Sequence, residues 1–161
     1  MRDKRGALAR TPWRRLTTRP VYENRWIRVR EDEVELPDGR TTIYGVVEPG
    51  PCVGILPFLD PDTVVLVGQY RYVAGDFYWE LPTGALRPGE SAEAGAQREL
   101  AEEAGYRAER LQLAPRPPDP TEFIEVRTFA FEEVVRMVER DEIKDGMTIV
   151  AVLHAARRRA R

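Results

Sequence analysis

Apolar positions along the chain follow two different rhythms. Cys52 to Phe58 (CVGILPF) and Val64 to Tyr70 (VVLVGQY) are nearly continuous apolar runs, joined through the turn signal Asp60-Pro61-Asp62. Runs of that kind, rich in β-branched residues, predict strands covered on both faces, with Cys52 buried among them. Trp26 to Leu36 (WIRVREDEVEL) alternates only in part, and Pro37-Asp38-Gly39-Arg40 separates it from Thr41 to Val47. This pairing predicts a hairpin. From Ser91 to Ala104 the rhythm becomes helical, in Ala, Glu, Gln and Leu, with Ser91 placed to cap the start and Gly105 to end it. Further on, the pattern predicts a strand over Arg107 to Ala114, a proline-dense connector (Pro115-Arg116-Pro117-Pro118-Asp119-Pro120) and a strand over Phe123 to Phe129. A short amphipathic helix over Glu132 to Arg140 and a closing helix over Met147 to Arg159 complete it. Residues 1–12 are polar and basic, and read as a loose arm.

A β-rich half followed by helix, strand and helices indicates an α+β domain layered as an α/β/α sandwich, rather than a bundle or a β-sandwich. The 161 residues suit one structural domain, with 1–47 as an arm and hairpin extension and 48–161 as the main body. Charge is nearly balanced, 25 basic residues against 27 acidic, which argues against a nucleic-acid surface. The arginines at 157–159 and 161 suit the end of a last helix. A single cysteine excludes an internal disulfide and fits a reducing compartment; neither a membrane-length apolar run nor a signal-peptide pattern is present in the sequence. The expectation is a cytoplasmic protein. His154, the only histidine, reads as a surface or helix-end residue.

The candidate chemistry lies in GALRPGESAEAGAQRELAEEAGY, Gly84 to Tyr106. At about 100° per residue, Glu99 and Glu103 lie within roughly 40° of each other on a helix, and Glu102 falls about 60° to the other side. Three like charges on one face repel each other. Hard divalent ions take oxygen ligands and would turn that repulsion into binding, so the cluster is a candidate metal platform. Ordinary solvated helix surface is the competing reading for three acids alone. Spacing changes the balance between the two. From Gly84 the sequence runs five residues to Glu90 and seven more to Arg98-Glu99-Leu100. One residue then leads to Glu102-Glu103, and one more to Gly105 and Tyr106.

That spacing resembles the signature of the Nudix hydrolases at every fixed position, with Tyr106 in a slot more often aliphatic. Chance agreement at one start point is on the order of one in a billion. The resemblance implies the Nudix fold with its mixed β-sheet and hydrolysis of a nucleoside diphosphate linked to another moiety, with Mg²⁺ or Mn²⁺. By position, Glu99 and Glu103 look like metal ligands, Glu102 a further or water-mediated one, and the backbone carbonyl of Thr83 another. Arg98 pairs with Glu90 in this reading and holds the carboxylates without touching substrate. Gln69-Tyr70-Arg71, Trp79-Glu80-Leu81-Pro82-Thr83-Gly84, Glu122-Phe123-Ile124-Glu125-Val126 and Glu142-Ile143-Lys144-Asp145 extend the likeness to the ADP-ribose pyrophosphatase and nucleotide-sugar branch. There Arg71 would meet the substrate's phosphate or sugar and Trp26 would stack on its base, with Glu80 grouped beside them. A surface ion pair for Arg71, and core or dimer packing for Trp26, stand as the plain alternatives. Relatives form homodimers through N-terminal strands, which gives the hairpin a second use.

One departure concerns Tyr106 to Phe123, where such relatives carry more chain, including a loop glutamate that helps activate water. Either the protein lacks that segment or a loop is missing from the sequence as read. Glu122 is then the best remaining general base. The implied reaction is ADP-ribose to AMP and ribose 5-phosphate; the alternatives are another nucleotide-sugar pyrophosphatase, such as one for GDP-mannose, or a non-catalytic Nudix-fold sensing module. A nucleoside triphosphate sanitising enzyme is disfavoured by the flanking segments.

Overall fold

The computed structural model describes residues 11–108, 112–113 and 123–161. The first ten residues of the arm, the connector over 115–120 and Glu122 lie outside the described residues. Two compact units are present, dividing between Gly50 and Pro51.

The N-terminal unit is a three-stranded antiparallel sheet in the order β1 (Arg14–Glu23), β2 (Arg28–Glu35), β3 (Thr41–Glu48). The expected hairpin is β2 and β3; β1 is a third strand that the hydrophobic pattern does not predict. The reason is visible in its composition: RRLTTRPVYE has no clean alternation, and every residue of it is exposed. Cross-strand charge pairs favour the register instead, Arg14 with Glu35 at 2.9 Å and Arg19 with Glu31 at 2.7 Å.

The second unit is built around β6 (Thr63–Arg71), which takes β11 (Glu125–Ala130) along one edge and, along the other, β5 (Phe58–Asp60) and then β7 (Asp76–Glu80). A separate pair joins β4 (Cys52–Gly54) to β8 (Thr83–Ala85), and a short one joins β9 (Tyr106–Arg107) to β10 (Gln112–Leu113). Among the described residues every strand pairing is antiparallel. The run expected over Cys52 to Phe58 is split into β4 and β5, with β4 leaving the β6 sheet to pair with β8. Cys52, expected buried, is exposed for that reason.

Strand β6 shows why its apolar run is continuous. Val64 and Leu66 face one core with Leu81, Phe131, Val134, Met137, Ile143 and Val152, while Val65 and Val67 face another with Leu100 and Ala104. Each face of the strand buries a layer, at roughly 1.5–3 kcal/mol for each large side chain. The helices α2 (Phe131–Glu139) and α3 (Gly146–Arg159) supply the first layer. The continuation of the acidic helix α1 (Ala92–Glu99), through Leu100 and Ala104, supplies the second. The second unit is thus α+β and layered, as expected from the element order.

Ser91 caps α1 by accepting from the Ala94 N–H at 3.2 Å, and Gly105 ends it in the left-handed region at φ 73°. Between them lies a feature that sequence periodicity does not reveal. Leu100–Ala104 winds as a π-helical turn, wider than the α-helix before it. Such turns are rare and cluster at functional positions.

Candidate active site

The box from Gly84 to Tyr106 folds as a strand, a loop and α1 with its π turn, and the carboxylates of Glu90, Glu99 and Glu102 converge on Arg98. Arg98 donates Nε to Glu90 Oε1 at 2.9 Å and Nη2 to Glu90 Oε2 at 2.8 Å, a two-pronged pair. Its Nη1 reaches Glu99 Oε1 at 2.5 Å and Glu102 Oε2 at 3.0 Å, and Nη2 also donates to the Ala85 carbonyl at 2.9 Å. One guanidinium therefore ties loop, strand and helix together. The expected pairing with Glu90 is present, with two further carboxylates on the same arginine. Arg98 and the Arg87 N–H, which donates at 3.0 Å, pull the Glu90 carboxyl down to about 2. The same contacts push the Arg98 guanidinium further up from its already high value.

Glu99 and Glu103 are buried, at 8% and 7% exposure, whereas Glu102 is half-buried. Burial makes a carboxylate costly unless it is paired. Glu103 Oε2 accepts the Thr83 N–H at 2.8 Å, which fastens the helix to β8 one residue before the box glycine. Gly84 is a glycine because of Glu99: a Cβ there would come within 2.0 Å of the Glu99 carboxyl carbon. Gly89 instead provides a left-handed turn at φ 77°.

The donor set, hard oxygen atoms on Glu99, Glu102 and Glu103, is chemically the kind a divalent cation takes. With Glu90, the box carboxylates outnumber the two arginines among them. In this conformation, however, no group of three or more His, Cys, Asp or Glu side chains among the described residues is arranged to hold a metal ion. Arg98 engages one oxygen each of Glu99 and Glu102, and the Thr83 N–H engages one oxygen of Glu103.

Next to the box, Arg71 at the end of β6 pairs with buried Glu80 on β7, its Nε lying 2.9 Å from Glu80 Oε2. Glu80 is spent on Arg71 and faces away from open solvent, so it fixes the arginine in place. The Glu80 contact raises the Arg71 pKa, and the charges of Glu103 and Asp145 add to the rise. Arg71 thus lies within electrostatic reach of the box. Trp26 belongs to the N-terminal unit, where it is exposed with the Arg25 guanidinium 4.0 Å over its ring. His154 is exposed on α3.

Two residues of this region carry roles that the sequence reading does not assign. Asp145 caps α3, accepting from the Thr148 N–H at 2.7 Å and from the Thr148 hydroxyl at 2.6 Å. Thr148, fully buried, accepts the Leu81 N–H at 3.0 Å and so anchors the segment between Glu80 and Thr83. The available signal is an N-capping residue three positions before a threonine at the start of an apolar helix.

A family model described as the NUDIX domain matches residues 48–157, and one described as the nucleoside diphosphate sugar hydrolase N-terminal domain matches residues 13–47. The chain belongs to the Nudix family. This Nudix protein is 28% identical over 159 residues to an ADP-ribose pyrophosphatase of Bacillus subtilis, covering 82% of this chain and 86% of that one. It is 26% identical over 164 residues to a methanol dehydrogenase activator of Bacillus methanolicus, covering 85% and 89%. Its fold is shared with a solved structure titled as an ADP compounds hydrolase, at a TM-score of 0.78 and 19% identity over 92% of this chain and 94% of the other. As a Nudix enzyme it is a hydrolase acting on diphosphate bonds. Among the described residues no helix is long and apolar enough to cross a membrane.

Proposed function

We propose that this Nudix enzyme hydrolyses ADP-ribose to AMP and ribose 5-phosphate, with Mg²⁺ or Mn²⁺ as its cofactor. The observation that carries this reading is the pair of buried glutamates, Glu99 against Gly84 and Glu103 on the Thr83 N–H, in a spacing shared with diphosphate hydrolases. Glu99, Glu103 and Glu102 would hold the cation, with the Thr83 carbonyl beside them. A divalent ion bound there supplies charge neutralisation of the diphosphate and acidifies the attacking water. The protein's own part is positioning. Arg98 holds the carboxylates in register, Glu80 aims Arg71, and Arg71 offers a fixed cation to a phosphate oxygen. Glu122 is assigned as the acceptor of the water's proton and Trp26 as the surface on which the base stacks. The exposed apolar side chains of the N-terminal sheet, among them Tyr22, Ile43, Tyr44 and Val47, support a homodimer formed through that sheet.

A panel of nucleoside diphosphate derivatives, assayed with Mg²⁺ and Mn²⁺ for release of nucleoside monophosphate, tests the assignment. ADP-ribose is expected to give the highest kcat/KM, and Glu103→Gln to lower it by about a hundredfold or more. Full turnover in EDTA, or by the variant, would remove the metal assignment. Tight binding without turnover would favour a sensing role.

A further inference from the structure

Beside the box lies an open pocket of about 400 Å³ whose wall includes Arg71, Val73, Tyr78, Glu80, Lys144 and Asp145. That volume is within the range that takes a small ligand. Its charges are not equivalent. Glu80 is consumed by Arg71, so that pair presents the outward face of one guanidinium. Lys144, just ahead of α3, is exposed; among the described residues its only close polar or aromatic partner is the Tyr78 ring, 5.7 Å from its ammonium nitrogen. Asp145 makes both of its hydrogen bonds through Oδ2, to Thr148, which leaves Oδ1 for a donor from outside. One wall therefore offers a compact cation without a carboxylate partner, a free carboxylate oxygen and an aromatic face.

A cation and a carboxylate oxygen side by side match a ligand that carries both a phosphate and hydroxyl groups, since ammonium binds phosphate as a point charge and a carboxylate oxygen accepts from hydroxyls. The pocket is also joined to the box by short covalent and hydrogen-bonded paths. Glu80 in its wall is three residues from Thr83, whose N–H meets Glu103, and Thr148 holds both Asp145 and the Leu81 N–H. We propose that this pocket binds the sugar-phosphate half of the substrate, with Lys144 on the phosphate and Asp145 Oδ1 on a sugar hydroxyl. The proposal rests on the reading of the protein as a nucleoside diphosphate sugar hydrolase, and it makes Lys144 a specificity-determining residue of that reaction.

The test is calorimetric titration of the full-length protein in EDTA with ribose 5-phosphate, inorganic phosphate and ribose, for the parent and for Lys144→Ala and Lys144→Arg. Loss of one charge-assisted contact corresponds to roughly a tenfold weakening. Ribose 5-phosphate is expected to bind more tightly than either fragment, to weaken about tenfold in Lys144→Ala, and to recover most of that in Lys144→Arg. Equal binding by parent and Lys144→Ala would overturn the proposal, as would a Lys144 dependence seen for AMP but not for ribose 5-phosphate. The function and the pocket fail separately. Absence of ADP-ribose turnover with Lys144-dependent sugar-phosphate binding would reject the first and keep the second, whereas turnover with Lys144-independent binding would do the reverse.

Discussion

Replacing Arg98 is the sharpest perturbation of the box, because one side chain serves Glu90, Glu99, Glu102 and the Ala85 carbonyl. Its side chain is 9% exposed and that of Glu99 11%, so Arg98→Ala strands a buried carboxylate in addition to removing a contact. Breaking a buried pair by deleting one partner costs about 3–5 kcal/mol. Glu102 is 25% exposed and can turn to water, which places the expectation near the lower end, about 3 kcal/mol. For a chain of this size that is a fall in Tm of roughly 6–12 °C by differential scanning calorimetry. A lysine in place of Arg98 would keep the charge but cannot span the same set of acceptors from a single nitrogen, so Arg98→Lys should recover less than half of the loss. Activity separates structure from chemistry. If Arg98 sets the carboxylates in register, Arg98→Lys loses kcat/KM by more than its loss of stability explains, when both are measured well below its Tm. A Tm for Arg98→Ala within about 2 °C of the parent would refute the buried-network reasoning.

Two further outcomes follow from neighbouring contacts. Gly84→Ala drives a methyl group into the Glu99 carboxyl at 2.0 Å; an overpacking cost of about 1–3 kcal/mol is expected by thermal denaturation, with kcat/KM lowered because Glu99 must move. Normal stability together with normal activity would show that Glu99 is not held at that spot. The Glu90 carboxyl is depressed from 4.5 to about 2 by Arg98 and the Arg87 N–H, so its contribution is fully present above pH 4.5 and is lost as pH falls through about 2. Urea unfolding of the parent between those limits should weaken more steeply with acid than that of Glu90→Gln, and parallel pH profiles would contradict the pairing.

What is legible in the sequence differs between the elements around β6. The strand's unbroken run of apolar residues is two interleaved faces, Val64 and Leu66 against one set of helices, Val65 and Val67 against the continuation of α1. A run of that kind carries its own explanation, since both faces must be apolar. The box is legible for another reason: its spacing encodes contacts, with Gly84, Glu90, Arg98, Glu99 and Glu103 all meeting one another or the backbone beside them. Strand β1 is not legible, because its register rests on charge pairs with β2, which a single strand's pattern does not display. Cys52 departs from expectation because β4 pairs with β8, about thirty residues away, a choice of partner that local hydrophobicity does not specify. The π turn at Leu100–Ala104 is equally hidden, since its residues have the composition of any good helix.

The segment from Glu80 to Gly84 ties the box to the pocket, and would let both act on one substrate as proposed. In five residues it pairs Arg71 through Glu80, docks on Thr148 through the Leu81 N–H, grips Glu103 through the Thr83 N–H and gives way to Glu99 at Gly84. Each contact alone is ordinary, worth about 0.5–1.5 kcal/mol for a neutral hydrogen bond and more for a charged one. Together they fix the carboxylates that would receive a cation and the arginine that would receive a phosphate on a single stretch of backbone. Preorganisation of this kind lowers the cost of bringing diphosphate and carboxylates together, because little has to be ordered when substrate arrives. A displacement at one end of the segment would pass to the other through backbone that is already hydrogen-bonded. Perturbations of Thr148 or Glu80 should therefore register in catalysis although neither side chain needs to touch the reacting phosphorus.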